Sequence, residues 1–169
     1  MSKNPAVLPA DEWPRKVVRH TITFVRHGQK NGPGFSADLT EKGRRDAYLV
    51  GERIRYPLDL VMASPSPRAI STAMAIREGN GSHAKLVIEE QLAEPGLGMY
   101  TDFSDAMRAF FLCIRSIIDE NRAETIVAAT HNYVVEYVAE VFRCRNAEPG
   151  LLEGITVNLE DFFQVCESL

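Results

Sequence analysis

Only three of the 169 residues are cysteine, and Cys113, Cys144 and Cys166 form no C-x-x-C pair. An odd, scattered set of thiols offers neither a disulfide framework nor a redox pair. It reads as buried thiols in a reducing, cytoplasmic compartment. Long hydrophobic runs are also missing. The longest falls far short of the ~20 residues that a bilayer-spanning helix needs, so no membrane partner is expected. Neither sign of charge dominates. Nineteen Lys and Arg stand against 23 Asp and Glu, a formal net charge of -4. That argues against broad electrostatic binding to nucleic acid or anionic lipid, and any cationic site must be local. There is no internal repeat and no low-complexity segment, and nothing sets an oligomeric state.

What is present is an ordinary globular mixture, 45% hydrophobic and 25% charged. It suffices for a core without disulfides or a structural metal. Residues 1–16 have no apolar stretch of signal-peptide type and are interrupted by acids. With three prolines they read as an extended, partly ordered lead-in, leaving 17–169 as a single domain.

The pattern beyond it alternates strands and helices. Thr21 to Val25, Leu58 to Ala63 and Glu124 to Thr130 are short, apolar and rich in β-branched residues, and Lys85 to Glu89 is a weaker case. Helical spacing is expected over Glu41 to Tyr56, Ser66 to Arg77, Asp105 to Glu120 and Asn132 to Phe142. In the third of these Met107, Phe110, Phe111, Ile114, Ile117 and Ile118 make a core stripe. A last strand falls at Ile155 to Leu159 or at Phe162 to Cys166. The alternation predicts an α/β fold, a three-layer sandwich with a mostly parallel central sheet and helices on both faces.

In such sheets ligands bind beyond the carboxyl ends of the strands. Arg26-His27-Gly28 follows the first strand, Ser64-Pro65-Ser66-Pro67-Arg68 the second, and His131-Asn132 the third strong one. Two arginines and two histidines thus leave strand ends on one edge, at or near helix starts or a Gly-rich loop, where backbone N–H groups favour anions. In an acidic chain this composition suggests a phosphate pocket. A neutral imidazole can attack phosphorus. Neighbouring arginines lower its pKa and grip phosphoryl oxygens in bidentate fashion. They also stabilise the charge spread over those oxygens in the transition state. The leaving oxygen needs a proton, which calls for a carboxylic acid.

Phe24-Val25-Arg26-His27-Gly28 resembles the opening motif of the histidine phosphatase superfamily, the phosphoglycerate-mutase-like proteins. Leu39-Thr40-Glu41-Lys42-Gly43 with Ala47 is similar to that family's LTxxGxxxA segment. Ala63-Ser64-Pro65-Ser66-Pro67-Arg68-Ala69 with Thr72 and Ala73 resembles its SSPxxRAxxTA segment. Thr130-His131 matches its second histidine motif. An Arg-His-Gly triplet alone has a chance of about one per cent in a chain this long. Four ordered segments from about Thr21 to Phe142 are far more specific.

The resemblance implies that His27 is the nucleophile, becoming phosphohistidine, and that Arg26, Arg68 and His131 bind the phosphoryl group. It implies no cofactor and no metal, and four histidines offer no metal cluster to propose. Leu92-Ala93-Glu94 followed by Gly98 is similar to the LxE…G segment of the mutase-like branch. Glu94 is therefore the candidate acid, with Asp102, Asp105 and Glu90 as rivals. Gly28, Gln29, Asn31, Ser64 and Asn132 are candidate substrate contacts. Two departures stand out. Pro33 occupies a position where many members carry asparagine, and Asn132-Tyr133 follows the second histidine where glycine is usual.

The expected function is metal-independent hydrolysis of a phosphomonoester or phosphoprotein through phosphohistidine. A phosphoglycerate-mutase-type transferase must shelter its intermediate from water. The short segments after Glu94 and after His131 leave little for a lid, so hydrolysis is favoured. A non-catalytic phosphate- or phosphopeptide-binding module would not need the nucleophile.

Overall fold

A computed structural model of the chain describes residues 8–9, 12, 17–93, 103–144 and 149–169. The strands are β1 (Thr21–Arg26), β2 (Leu60–Ala63), β3 (Lys85–Ile88), β4 (Thr125–Thr130) and β5 (Gly154–Asn158). They form one sheet in the order β3-β2-β4-β1-β5. The first four are parallel, and β5 joins β1 antiparallel. The helices are α1 (Glu41–Arg53), α2 (Pro67–Asn80), α3 (Phe103–Asn121), α4 (Asn132–Val141) and α5 (Leu159–Ser168).

Strand alternation sorts side chains into two cores. Ile22, Phe24, Leu60, Met62, Ile126 and Ala128 point toward one layer, where Phe111, Ile114, Val135, Val138 and Phe162 of α3, α4 and α5 meet them. Val25, Val61, Ala63, Val127 and Ala129 point the other way, onto Ala47, Val50, Ala73 and Ile76 of α1 and α2. This is the expected α/β sandwich with helices on both faces. The α1–α2 contact is unusually close. A Cβ on Gly79 would lie 2.0 Å from the Tyr48 carbonyl oxygen, and one on Gly51 2.1 Å from that of Ile76.

The ends of the elements have local causes. Thr40 caps α1, its side chain accepting from the Gly43 N–H. The helix stops at Arg53 rather than running to Tyr56, because Pro57 disfavours helical backbone just before it. Pro67 opens α2, and Gly81 closes it with φ 68°. Of the two places expected for the last strand, only Gly154–Asn158 is one. Phe162 to Cys166 is helical instead. Asn158 accepts from the Glu160 N–H and starts α5, and Phe162 and Cys166, four apart, both face the core.

Within the N-terminal stretch, Leu8 exchanges hydrogen bonds with Gly154 on β5 and joins the core beneath α1 and α2. Among the expected stripe on α3, Phe110, Phe111, Ile114 and Ile118 are buried and Ile117 packs beside them; the Met107 side chain lies outside the described set. Cys166 is buried, whereas Cys113 and Cys144 are half-buried. Burial pushes all three thiols up to about 11, so they stay protonated and unreactive at neutral pH. No described helix is long and apolar enough to cross a membrane.

Candidate active site

Sheet register builds the site. Arg26 is paired with Thr130 and Ala63 with Ala129 on adjacent parallel strands. His27 and His131 therefore leave the sheet at one level, and Ser64 one residue before them. The ladder continues one step beyond the strands, with the His27 N–H bonded to the Thr130 carbonyl at 2.9 Å and the Ser64 N–H to the Ala129 carbonyl at 3.0 Å. Position here is a backbone property, fixed before any side chain is considered.

His27 is 5% exposed. Its Nδ1 lies 2.8 Å from the Gly28 carbonyl oxygen. A carbonyl can only accept, so Nδ1 carries the proton and Nε2 keeps its lone pair. Burial holds the imidazole down at about 4, with Arg68, Arg26 and Lys30 pushing the same way against the Gly28 carbonyl. The Gly28 N–H donates to Thr72 Oγ1 at 3.0 Å, and the Thr72 hydroxyl donates to the Arg68 carbonyl at 2.7 Å. Thr72 thus ties the nucleophile loop to α2. Gly43 lets that loop lie flat on α1, since a Cβ there would fall 2.4 Å from the Gln29 carbonyl oxygen.

His131 is fully buried and stands edge-on to His27, with ring centroids 5.4 Å apart. Its Nε2 lies 2.8 Å from Ser64 Oγ and 3.4 Å from Ser66 Oγ, and its Nδ1 lies 3.3 Å from an Arg68 guanidinium nitrogen. Burial first, then Arg68, His27, Arg26 and Lys30, hold it down at about 3. Both imidazoles are therefore neutral near pH 7.

Arg68, 4% exposed on the first turn of α2, also donates to the carbonyls of Gly34 at 3.3 Å and Phe35 at 3.0 Å, and its guanidinium lies over the Phe35 ring. Arg26, at the end of β1, donates to the Pro149 carbonyl at 2.8 Å. The Nε–H groups of both arginines are buried without an acceptor among the described residues. An unmade buried hydrogen bond costs about 1–3 kcal/mol, more for a charged group, so these are two strong donors in want of oxygen atoms.

The other expected residues divide. Ser64 is buried, and its hydroxyl faces His131 and Ser66. Gln29 is exposed, its side-chain oxygen 3.3 Å from the Thr40 hydroxyl. Asn31 is exposed, and its backbone N–H bonds to Asp38. Asn132 is half-buried at the start of α4, its amide 3.5 Å from Glu136. Glu94 and Asp102 lie outside the described residues. Two residues before Glu94, the Leu92 carbonyl accepts from Thr130 Oγ1 at 2.6 Å, beside His131. The rivals Glu90 and Asp105 are exposed. Among the described residues no group of three or more His, Cys, Asp or Glu side chains is placed to hold a metal ion.

Ser66, Thr72 and Lys30 were not among the expected site residues. The first two sit inside the motif that flags Arg68, where they read as turn and helix residues, because their partners lie 44 to 65 positions away. Lys30 acts through its charge alone, and no spacing rule marks it.

A family model, the histidine phosphatase superfamily (branch 1), matches residues 17–111. The chain belongs to that superfamily. Solved structures with the same fold include a phosphoserine phosphatase variant from Entamoeba histolytica, bound to phosphoserine. It is 16% identical, with a TM-score of 0.59, over 80% of this chain and 89% of that one. A putative phosphohistidine phosphatase, SixA, from Agrobacterium tumefaciens is 18% identical, with a TM-score of 0.52, over 73% and 77%. A mycobacterial glucosyl-3-phosphoglycerate phosphatase is 16% identical, with a TM-score of 0.59, over 82% and 90%. No curated protein matches by sequence.

Proposed function

We propose that this protein is a phosphatase that hydrolyses a phosphomonoester or phosphoprotein through a phosphohistidine on His27, without a metal or other cofactor. The observation that carries the reading is the His27 ring. It is neutral, protonated on Nδ1 by its bond to Gly28, and set beside His131 at the end of the sheet where Arg26 and Arg68 converge. That leaves Nε2 as a nucleophile within a cationic enclosure, which is what attack on a phosphoryl dianion requires.

Nε2 of His27 attacks phosphorus in line, and the bond from phosphorus to the leaving oxygen breaks. Arg26, Arg68 and His131 hold the non-bridging oxygens, with the two orphaned Nε–H groups supplying donors. Glu94 gives its proton to the leaving oxygen. Its carboxylate then takes a proton from the water that attacks the phosphoenzyme, freeing phosphate and His27. Support for Glu94 comes from its LxE segment and from Leu92, pinned to Thr130 beside His131. In this reading Gln29, Asn31 and Asn132 contact the leaving group, while Gly28 and Ser64 shape the pocket. Residues 17–169 act as one domain, and the scattered protonated thiols favour the cytoplasm.

The test is phosphate release from p-nitrophenyl phosphate, phosphoserine and 3-phosphoglycerate in the presence of EDTA. The reading predicts turnover of the aryl ester unaffected by the chelator, and no 2-isomer from 3-phosphoglycerate. Tight binding of inorganic phosphate with no turnover would make the chain a binding module. Isomer formation would make it a mutase.

A further inference from the structure

Ser64 and Ser66 are fully buried beside His131, and their hydrogen-bond directions can be worked out. Arg68 is a donor only, so the His131 Nδ1 facing it at 3.3 Å must accept. The ring proton then sits on Nε2 and is given to Ser64 Oγ at 2.8 Å. Ser64 is free to accept it, because its own proton goes to Ser66 Oγ at 3.2 Å, while the Ser66 N–H approaches Ser64 Oγ at 3.2 Å. Each direction is consistent with the others. The opposite tautomer would set Nδ1–H against a guanidinium N–H.

We propose that Ser64 is a positioning residue: Arg68 sets the Nε2–H tautomer of His131, and Ser64, its hydroxyl held as an acceptor by Ser66, takes the Nε2–H bond and fixes the ring in place. The consequence is specific. Nδ1 becomes the one ring atom that can take up a proton when an oxyanion enters, and Ser64 accepts from Nε2–H before and after. Among the described residues, those acting on this ring by charge include Arg68 on α2, His27 and Arg26 at the end of β1, and Lys30 on the following loop. All but His27 carry positive charge, so a proton on Nδ1 is disfavoured until the incoming anion offsets them. This inference rests on the phosphatase reading for its catalytic consequence, but not for its structural claim.

The experiment is 15N–1H correlation of the histidine rings in the full-length protein, which distinguishes Nε2–H from Nδ1–H imidazole without any substrate. The wild type should show His131 as a single Nε2–H tautomer across pH 6–8. Ser64→Ala should keep that tautomer, which Arg68 sets, but lose the Nε2–H bond, read as a shifted and faster-exchanging Nε2–H signal, and kcat should fall on the order of tenfold with a smaller change in KM. In a His131→Asn background the same substitution should have no further effect on kcat, which a general packing role would not predict. If Ser64→Ala does not fold, Ser66→Ala frees the Ser64 hydroxyl to turn and should shift the same Nε2–H signal by a smaller amount. An Nδ1–H tautomer in the wild type overturns the proposal, as does an unaltered Nε2–H signal in the folded variants. If the ring signals behave as stated and no phosphatase activity exists, the functional reading fails and the positioning role stands.

Discussion

His27 and His131 meet edge to face, their ring centroids 5.4 Å apart and their planes inclined at 69°. Two imidazoles this close cannot both be charged at little cost, and the pocket keeps both neutral through burial and three nearby cations. The pH dependence of kcat/KM, corrected for ionisation of the substrate, should therefore show its ascending limb at about pH 4, where His27 loses its proton, and none near 6.5. Lys30→Ala removes one of the cations and should move that limb to higher pH. A limb near 6.5 that ignores Lys30→Ala contradicts this account of the nucleophile.

The same two rings make stability depend on pH. Their folded values lie near 4 and 3, below the ordinary 6.5. Below pH 6.5 the unfolded chain binds protons that the folded protein refuses, so stability is fully present above that pH. It falls as the pH drops from 6.5 toward 4 and 3, by up to about 1.4 kcal/mol for each pKa unit of separation. Urea unfolding between pH 7 and 4 should show this decline, and it should be shallower in His131→Asn. An equal slope in both proteins sinks the assignment.

Gly43 and Gly79 both sit where a side chain has no room, yet they guard different things. A Cβ on Gly43 meets the loop that carries His27, whereas one on Gly79 meets the backbone of α1. Gly43→Ala should displace the nucleophile and lower kcat on the order of a hundredfold, as small misplacements of reacting groups do. Gly79→Ala should mainly destabilise, by about 1–3 kcal/mol, with kcat of the folded fraction nearly unchanged. The comparison needs melting curves and kcat for each.

Glu94→Gln tests the acid. A good leaving group such as p-nitrophenolate needs little protonation and an alkyl alkoxide needs much. The substitution should lower kcat/KM for phosphoserine by at least tenfold more than for p-nitrophenyl phosphate. Equal losses remove Glu94 from that role.

Much of this is legible in the sequence alone. Alternation of β-branched strands with amphipathic helices gives the sandwich, and strand ends give the sheet edge from which His27, Ser64 and His131 emerge. Local chemistry set the less legible parts. The end of α1 depends on Pro57, and the last strand could not be told from the helix after it, because Ile155 to Leu159 and Phe162 to Cys166 are both short apolar segments. The inner wiring of the site was not readable, since Thr72 on Gly28 and Ser64 on His131 join residues 44 and 67 positions apart. Motifs name such residues but do not say which atom faces which. Ser64 is a candidate substrate contact in the sequence, and only the structure shows that its hydroxyl faces His131 and Ser66.

The central claim is that His27 takes the phosphoryl group onto its own Nε2. Rapid quench of the protein with a 32P-labelled phosphomonoester, followed by peptide mapping under alkaline conditions, tests it directly. The account predicts label on His27, stable in base, lost in acid, and absent from His27→Ala together with turnover. Turnover that persists in His27→Ala, or label on another residue, would contradict it.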